Sequence, residues 1–206
     1  MRGRVALLTG AGSGIGRAVC ARLAEASGGR RHVAHAGTRG GDRYVCRAAI
    51  PVLRDGGSIV NMASMNSLVA WENNAPYSAS KGALLQFTRA LALELAPRQI
   101  RVNCVCPGII DTPLTDSFLE LGDEPAATRA EYEAVAPLSR MGTAREVANC
   151  VYFLASDEST FVTGSALDPG RGGDGGGRGD EPRCVGALRR RQHRAHRSLL
   201  ADQSVL

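Results

Sequence analysis

The stretch from Val5 to Leu23 constrains the fold more than any other. Val5-Ala6-Leu7-Leu8-Thr9 reads as a short, fully buried strand. It runs into Gly10-Ala11-Gly12-Ser13-Gly14-Ile15-Gly16, after which Ile15, Ala18, Val19 and Leu23 recur on one helical face. In a strand–turn–helix unit the glycines let the backbone come close to a ligand, and free N–H groups at the helix N-terminus face an anion. The unit therefore suits a diphosphate. Its spacing, Gly10-x-x-x-Gly14-x-Gly16, departs from the commoner G-x-G-x-x-G fingerprint. A plain tight turn is the alternative; the flanking strand and helix favour nucleotide binding in an open α/β sheet.

A second stretch carries the chemistry. In Tyr77-Ser78-Ala79-Ser80-Lys81 a tyrosine and a lysine lie four residues apart, one turn from each other on one helical face. An ammonium close to a phenol favours the phenolate and pulls its pKa down from about 10. A tyrosine tuned in this way can exchange a proton near neutral pH. Lys81 is the only lysine among 25 basic residues, and arginine would replace it poorly, being planar and differently hydrated. The alternative is an exposed pair in a weak i,i+4 contact. Ser58–Met62 reads as a strand with Ser64 in its polar exit, thirteen residues before Tyr77. Ligands bind at the carboxyl ends of such strands, where a hydroxyl can reach the same substrate oxygen as Tyr77.

The helix after Tyr77 has a stripe of Leu84, Phe87, Leu91 and Leu95 and stops at Pro97. Ile100–Cys106 is a further strand, closed by Pro107-Gly108. The loop 71–76 and the polar stretch 113–136 are placed to line a substrate pocket, the latter as a lid. Thr143-Ala144-Arg145-Glu146 is a capping box opening a helix with Val147, Cys150, Val151 and Leu154.

Composition bounds the rest. With 206 residues and 44% apolar content the chain can build one domain with a real core. It has no apolar run of about 18 residues, so no membrane span is expected. Met1-Arg2-Gly3-Arg4 does not read as a secretory leader, and a cytoplasmic protein is expected. The six cysteines show no ligand-like pairing apart from Cys104-Val105-Cys106, which are expected to point to opposite faces of a strand and to be buried free thiols. His32 and His35 lack the neighbours a metal site needs, so no metal is expected. The net charge of +5 sits in two odd segments: residues 171–206 hold eight Arg against four acids, and residues 27–43 four Arg against one Asp. The rest of the chain is near −2, and no nucleic-acid partner is expected. Residues 27–43 read as loop and 168–206 as a disordered Gly- then Arg-rich tail, which gives a domain over 1–167 and a tail over 168–206.

Thr9-Gly10-x-x-x-Gly14-x-Gly16, Ser64, Tyr77-x-x-x-Lys81, Arg101-Val102-Asn103 and Pro107-Gly108 together resemble the classical short-chain dehydrogenase/reductase family in order and spacing. The resemblance covers residues 4–26 and about 44–167. It implies an α/β fold, a Rossmann-like doubly wound parallel sheet binding NAD or NADP, with hydride passing between nicotinamide and an alcohol or ketone. By the same resemblance Tyr77 is the general acid/base, Lys81 lowers its pKa and bonds the nicotinamide ribose, and Ser64 orients the substrate oxygen. The implied cofactor contacts are Gly10, Ser13, Gly14, Ile15, Gly16, Tyr77, Lys81, Pro107, Gly108, Ile110 and Thr112, with Thr112 at the carboxamide end. A homodimer or homotetramer packed through the helix of Tyr77 is also implied.

The departures are as informative. Family members carry a far longer interval after the first helix, with two further strands and then a strand ending in Asn-Asn-Ala-Gly. That motif is absent, and the family's catalytic Asn would align near Thr38. The turn after the closing strand survives only as Asp168-Pro169-Gly170. The sheet is therefore expected to lack interior strands, and the two motif-free segments to arise from a deletion or an out-of-frame reading. Missing interior strands expose apolar edges, against a net stability of only about 5–15 kcal/mol for a domain. A non-catalytic remnant of the enzyme is the alternative function.

Overall fold

The opening apolar run forms β1 (Ala6–Thr9), and the glycine-rich turn leads into α1 (Gly14–Ser27). The computed structural model describes residues 6–9, 11–27, 32–35, 42–71, 74–120 and 124–170. Within the segment expected to be loop, His32–His35 instead form a strand, β2, parallel to β1 in the register Ala6 to His32 through Thr9 to His35. Four residues reading His-Val-Ala-His are too few to show a strand period; the partner strand decides their conformation. The segment closes on α2 (Asp42–Ala49). Residues 28–31 and 36–41, Thr38 among them, and the tail from 171 onwards lie outside the described residues.

A 3₁₀ turn at Ile50–Val52 and the Gly56-Gly57 corner, with Gly56 at φ +75, lead into β3 (Ser58–Met62). The long helix α3 (Ala75–Leu95) follows. It ends where Pro97 lacks an N–H to donate, and Gln99 leaves it at φ 54. Next come β4 (Arg101–Val105), β5 (Ile110–Asp111), α4 (Pro113–Leu119), α5 (Pro125–Val135), β6 (Gly142–Thr143), α6 (Ala144–Ala155) and β7 (Ala166–Leu167). The expected lid over 113–136 is thus mostly helical.

All strand pairs are parallel, and β4 lies between β3 and β7. Helices cover both faces, as a doubly wound sheet requires. Val105 packs with Val19 and Leu23 of α1 and with Val147, Val151 and Leu154 of α6. On the other face, Val102 meets Leu91 and Leu95 of α3 and Cys46 of α2, while Cys104 and Cys106 meet Leu84 and Leu85. Burying each such aliphatic side chain stabilises by roughly 1.5–3 kcal/mol. The sheet is incomplete, as expected: among the described residues β1 is bonded only to β2, and β3 only to β4. No described helix is long and apolar enough to cross a membrane, and no described cluster of His, Cys, Asp and Glu could hold a metal.

The alternation along β4 corrects the reading of the cysteines. Side chains two residues apart share a face of a strand. Cys104 and Cys106 therefore point the same way, and their Sγ atoms lie 3.8 Å apart.

Arg101 and Asn103 tie β4 to the elements behind it. The Arg101 guanidinium donates to the carbonyls of Leu154 (2.8 Å) and Ser156 (3.0 Å) at the C-terminal end of α6, where a cation complements the helix dipole. Asn103 donates to the Val162 carbonyl and accepts from the Ser165 N–H. The Arg-Val-Asn motif is thus a brace for β4 and β7.

The capping box forms as expected: Thr143 accepts from the Glu146 N–H, and the Glu146 carboxylate accepts from the Thr143 N–H at 2.8 Å. Arg140 grips the same carboxylate at 2.6 and 3.0 Å. The Arg140 guanidinium, then the Thr143 N–H and hydroxyl, hold the Glu146 pKa down to about 2 from an ordinary 4.5. A depressed carboxylate gives its full contribution above the unfolded value and loses it as pH falls toward the folded one. The thermal midpoint should therefore fall more steeply between about pH 5 and 3 in the native protein than in Glu146→Gln. Parallel profiles would show that this cap does not carry acid sensitivity.

Candidate active site

Two groups of residues gather at the carboxyl ends of the strands. The first is the glycine-rich turn. Gly14 opens α1 at φ +48, a conformation that costs other L-residues roughly 1–2 kcal/mol. A Cβ added there would sit 3.7 Å from the Thr112 side chain, so the turn and the N-cap of α4 are neighbours. A Cβ on Gly12 would meet nothing within 4 Å, which leaves open space over the turn. Ser13 is exposed, and its carbonyl accepts the Arg17 N–H; Ile15 and Gly16 continue the first turn of the helix. Gly10 lies outside the described residues.

The second group surrounds the exit of β3. Ser64 is 8% exposed and its Oγ accepts the Asn66 N–H at 3.2 Å, which opens a 3₁₀ turn over Met65–Ser67. Pro107 accepts the Met65 N–H at 2.9 Å, and Gly108 donates to the Pro169 carbonyl at 2.9 Å. These bonds fasten the loops after β3, β4 and β7 to one another. Pro76 sits in the first turn of α3, where its missing N–H leaves no bond unmade. Tyr77 follows, 44% exposed. One turn on, Lys81 reaches back to the Met62 carbonyl, with Nζ 3.0 Å from the oxygen and 5.8 Å from the centre of the Tyr77 ring. The Ser67 hydroxyl donates to the Lys81 carbonyl at 2.8 Å.

The structure thus brings Lys81 to the last residue of β3, two positions before Ser64, and Thr112 to Gly14. It does not join Tyr77 to Ser64 by a direct hydrogen bond. Sequence reasoning missed the two groups that hold Lys81. Ser67 could have been picked out as a hydroxyl three residues after Ser64; the Met62 carbonyl, being backbone, leaves no mark on residue type. Ile110 lies in β5 and walls a cavity of about 170 Å³ with Leu138, Arg140, Val147 and Pro169. Neither Ser64, Tyr77 nor Lys81 lines that cavity. Arg129 of α5 bonds Asp111 at 2.8 Å and lies 3.9 Å from Asp116 of α4, which clasps the two helices together.

Residues 40–172 match the family model described as enoyl-(acyl carrier protein) reductase. A solved short-chain dehydrogenase family protein from Francisella tularensis superposes with a TM-score of 0.74 at 25% identity, covering 82% of this chain and 97% of its own. The chain belongs to the short-chain dehydrogenase/reductase family. It is also similar to 2-(R)-hydroxypropyl-CoM dehydrogenase of Xanthobacter autotrophicus, at 45% identity over 124 residues, which is 59% of this chain and 48% of that protein. A blue fluorescent protein from a metagenomic library, solved with NADPH, superposes with a TM-score of 0.71 at 25% identity over 83% of this chain and 98% of its own. By sequence, this short-chain dehydrogenase/reductase spans about half the length of the curated relatives it matches.

The dihedral at Gly14 is directly testable. Gly14→Ala should lower unfolding free energy by roughly 1–2 kcal/mol in denaturant titration, because the added Cβ has room but the backbone does not tolerate it. An unchanged midpoint would mean that the turn does not adopt positive φ.

Proposed function

We propose that this chain is an NAD(P)-dependent oxidoreductase that moves a hydride between nicotinamide and an alcohol or carbonyl carbon, with Tyr77 as general acid/base. The observation that carries the reading is the placement of Lys81, bonded to the Met62 carbonyl beside Ser64 and one helical turn from Tyr77. The dinucleotide supplies the hydride, and the protein holds the partners and handles the proton. The residues fit such a group: Gly14 takes the tight turn, Gly12 leaves space for a diphosphate, and the α1 amides face it. Ser13, Ile15 and Gly16 are assigned to that turn with Gly10; Pro107, Gly108, Ile110 and Thr112 are assigned to the nicotinamide end.

In this reading the Tyr77 hydroxyl gives its proton to the carbonyl oxygen in reduction and takes it back in oxidation. Lys81 adds positive charge on the phenol's side of the site, which favours the phenolate. The Ser64 hydroxyl holds the same substrate oxygen in line. The substrate class is a small secondary alcohol or ketone admitted under the α4–α5 lid. Free buried thiols support a reducing, cytoplasmic setting. The outward face of α3, with Leu93 79% exposed, supports assembly as a homodimer or homotetramer through that helix.

A second reading, a non-catalytic remnant, is favoured by the break between β1 and β3 and by the half-length match to relatives. Thermal unfolding with millimolar NAD⁺ or NADP⁺ separates the two. The enzyme reading expects a cooperative transition raised by one cofactor, by about 2.7 kcal/mol at 100 times its Kd. A transition indifferent to both would favour the remnant. In the enzyme, Tyr77→Phe should keep that cofactor shift while turnover falls by about 10²–10⁴-fold.

A further inference from the structure

Two sulfurs, of Cys104 in β4 and of Cys106 just beyond its end, lie next to the Ser64 loop. Cys104 and Cys106 are fully buried, with Sγ atoms in contact at 3.8 Å. They pack between the sheet and α3, against Ala63, Leu84 and Leu85. Cys106 adjoins the Ser64 backbone N–H and the Ser67 hydroxyl, and Asp168 faces it from the loop after β7; Cys104 adjoins Thr88, with Arg89 nearby on α3. Among the described residues no third ligand joins them.

We propose that Cys104 and Cys106 form a modification site, a dithiol that hydroperoxides convert to a disulfide spanning Val105. Two residues of strand span roughly 6.6 Å between Cα atoms. That is near the upper end of the roughly 4.4–6.8 Å that disulfides bridge. The sulfurs need to close from contact to about 2.05 Å. Cys106 can give ground, because β4 ends at Val105 and Cys106 is held beyond it by one N–H bond to the Leu167 carbonyl, at 2.7 Å. A bond made at the edge of the geometric range is strained and therefore easily reduced.

The chemistry balances with one peroxide. Contact with the Cys104 S–H, aided by the Ser64 N–H, holds the Cys106 pKa below the ordinary thiol value, while the same contact and burial push Cys104 up. Cys106, with the Ser64 N–H and the Ser67 hydroxyl beside it to donate to a thiolate, is the attacking sulfur. Its sulfur attacks the peroxide O–O bond, forming an S–O bond and expelling an alkoxide that leaves as the alcohol after taking a proton. The Cys104 sulfur then attacks the sulfenic sulfur, forming S–S and releasing water with the second proton. Two sulfurs are oxidised by one electron each, and the peroxide is reduced by two. Closure draws Cys106 toward Cys104 and moves Pro107, whose carbonyl holds the Met65 N–H next to Ser64.

The test reads mass, so it is independent of whether the chain turns over any substrate. The full chain is treated with hydrogen peroxide, its remaining thiols are alkylated, and it is digested with trypsin. Cleavage after Arg101 and Arg129 gives one peptide holding Cys104 and Cys106 and no other cysteine. The expected result is that this peptide loses two hydrogens, escapes alkylation and regains both thiols with dithiothreitol. Cys104→Ala should remove the loss and leave Cys106 as a sulfenic or higher acid. The proposal is overturned if both cysteines stay alkylatable while the half-buried Cys20 and Cys150 oxidise, or if either cysteine pairs outside this peptide. The native protein decides the matter even if Cys104→Ala does not fold.

Discussion

The strand β4 is the constraint on which the rest of this molecule depends. It is hydrogen-bonded along both edges, and its residues from Val102 to Val105 are wholly buried. Because a strand alternates, this one element has to satisfy two helical layers at once: Val105 faces α1 and α6, while Val102 and Cys104 face α3. The polar members of the strand are occupied in bracing. Arg101 and Asn103 satisfy carbonyls that a buried helix end and a turning chain would otherwise leave without donors. The loops that gather around Ser64 are then a consequence of where β3, β4 and β7 stop.

Legibility in the sequence followed the length of the pattern. The long periodic helices α3 and α6, and the apolar runs of β3 and β4, could be read residue by residue, since packing and period agree there. The capping box at Thr143 was legible because its two partners are fixed by spacing. β2 was not, because His32–His35 become a strand only through β1. The cysteine pair was misread by one step of the strand period, although the pattern was available. For the candidate site, the residue types at Ser64, Tyr77 and Lys81 could be singled out, but not what anchors them. Lys81 is held by a backbone carbonyl, and Gly14 meets Thr112 from 98 positions away in the chain.

The molecule sets local completeness against global incompleteness. Around β4 the layers, braces and caps agree with one another, which is what a single native state needs. Among the described residues no strand ladder joins β1 to β3, and helix packing bridges the interval. The glycine-rich turn belongs to one side of that interval, and the Tyr77–Lys81 helix to the other. Any chemistry that uses both depends on α1 being seated correctly.

That seating has a temporal side. α1 is held by α6: Arg145 clasps Glu25 at 2.6 and 2.7 Å, and Arg22 bonds Asn149 and stacks over Tyr152. These partners are some 120 residues apart in the chain. At about 5–20 residues per second, roughly ten seconds of synthesis separate the emergence of the glycine turn from that of the helix that docks it. Throughout that interval the nascent chain shows its first amphipathic helix unpaired. The fold therefore closes from its C-terminal side, and a ribosome-bound chaperone would meet the glycine-rich turn before the rest of the domain can.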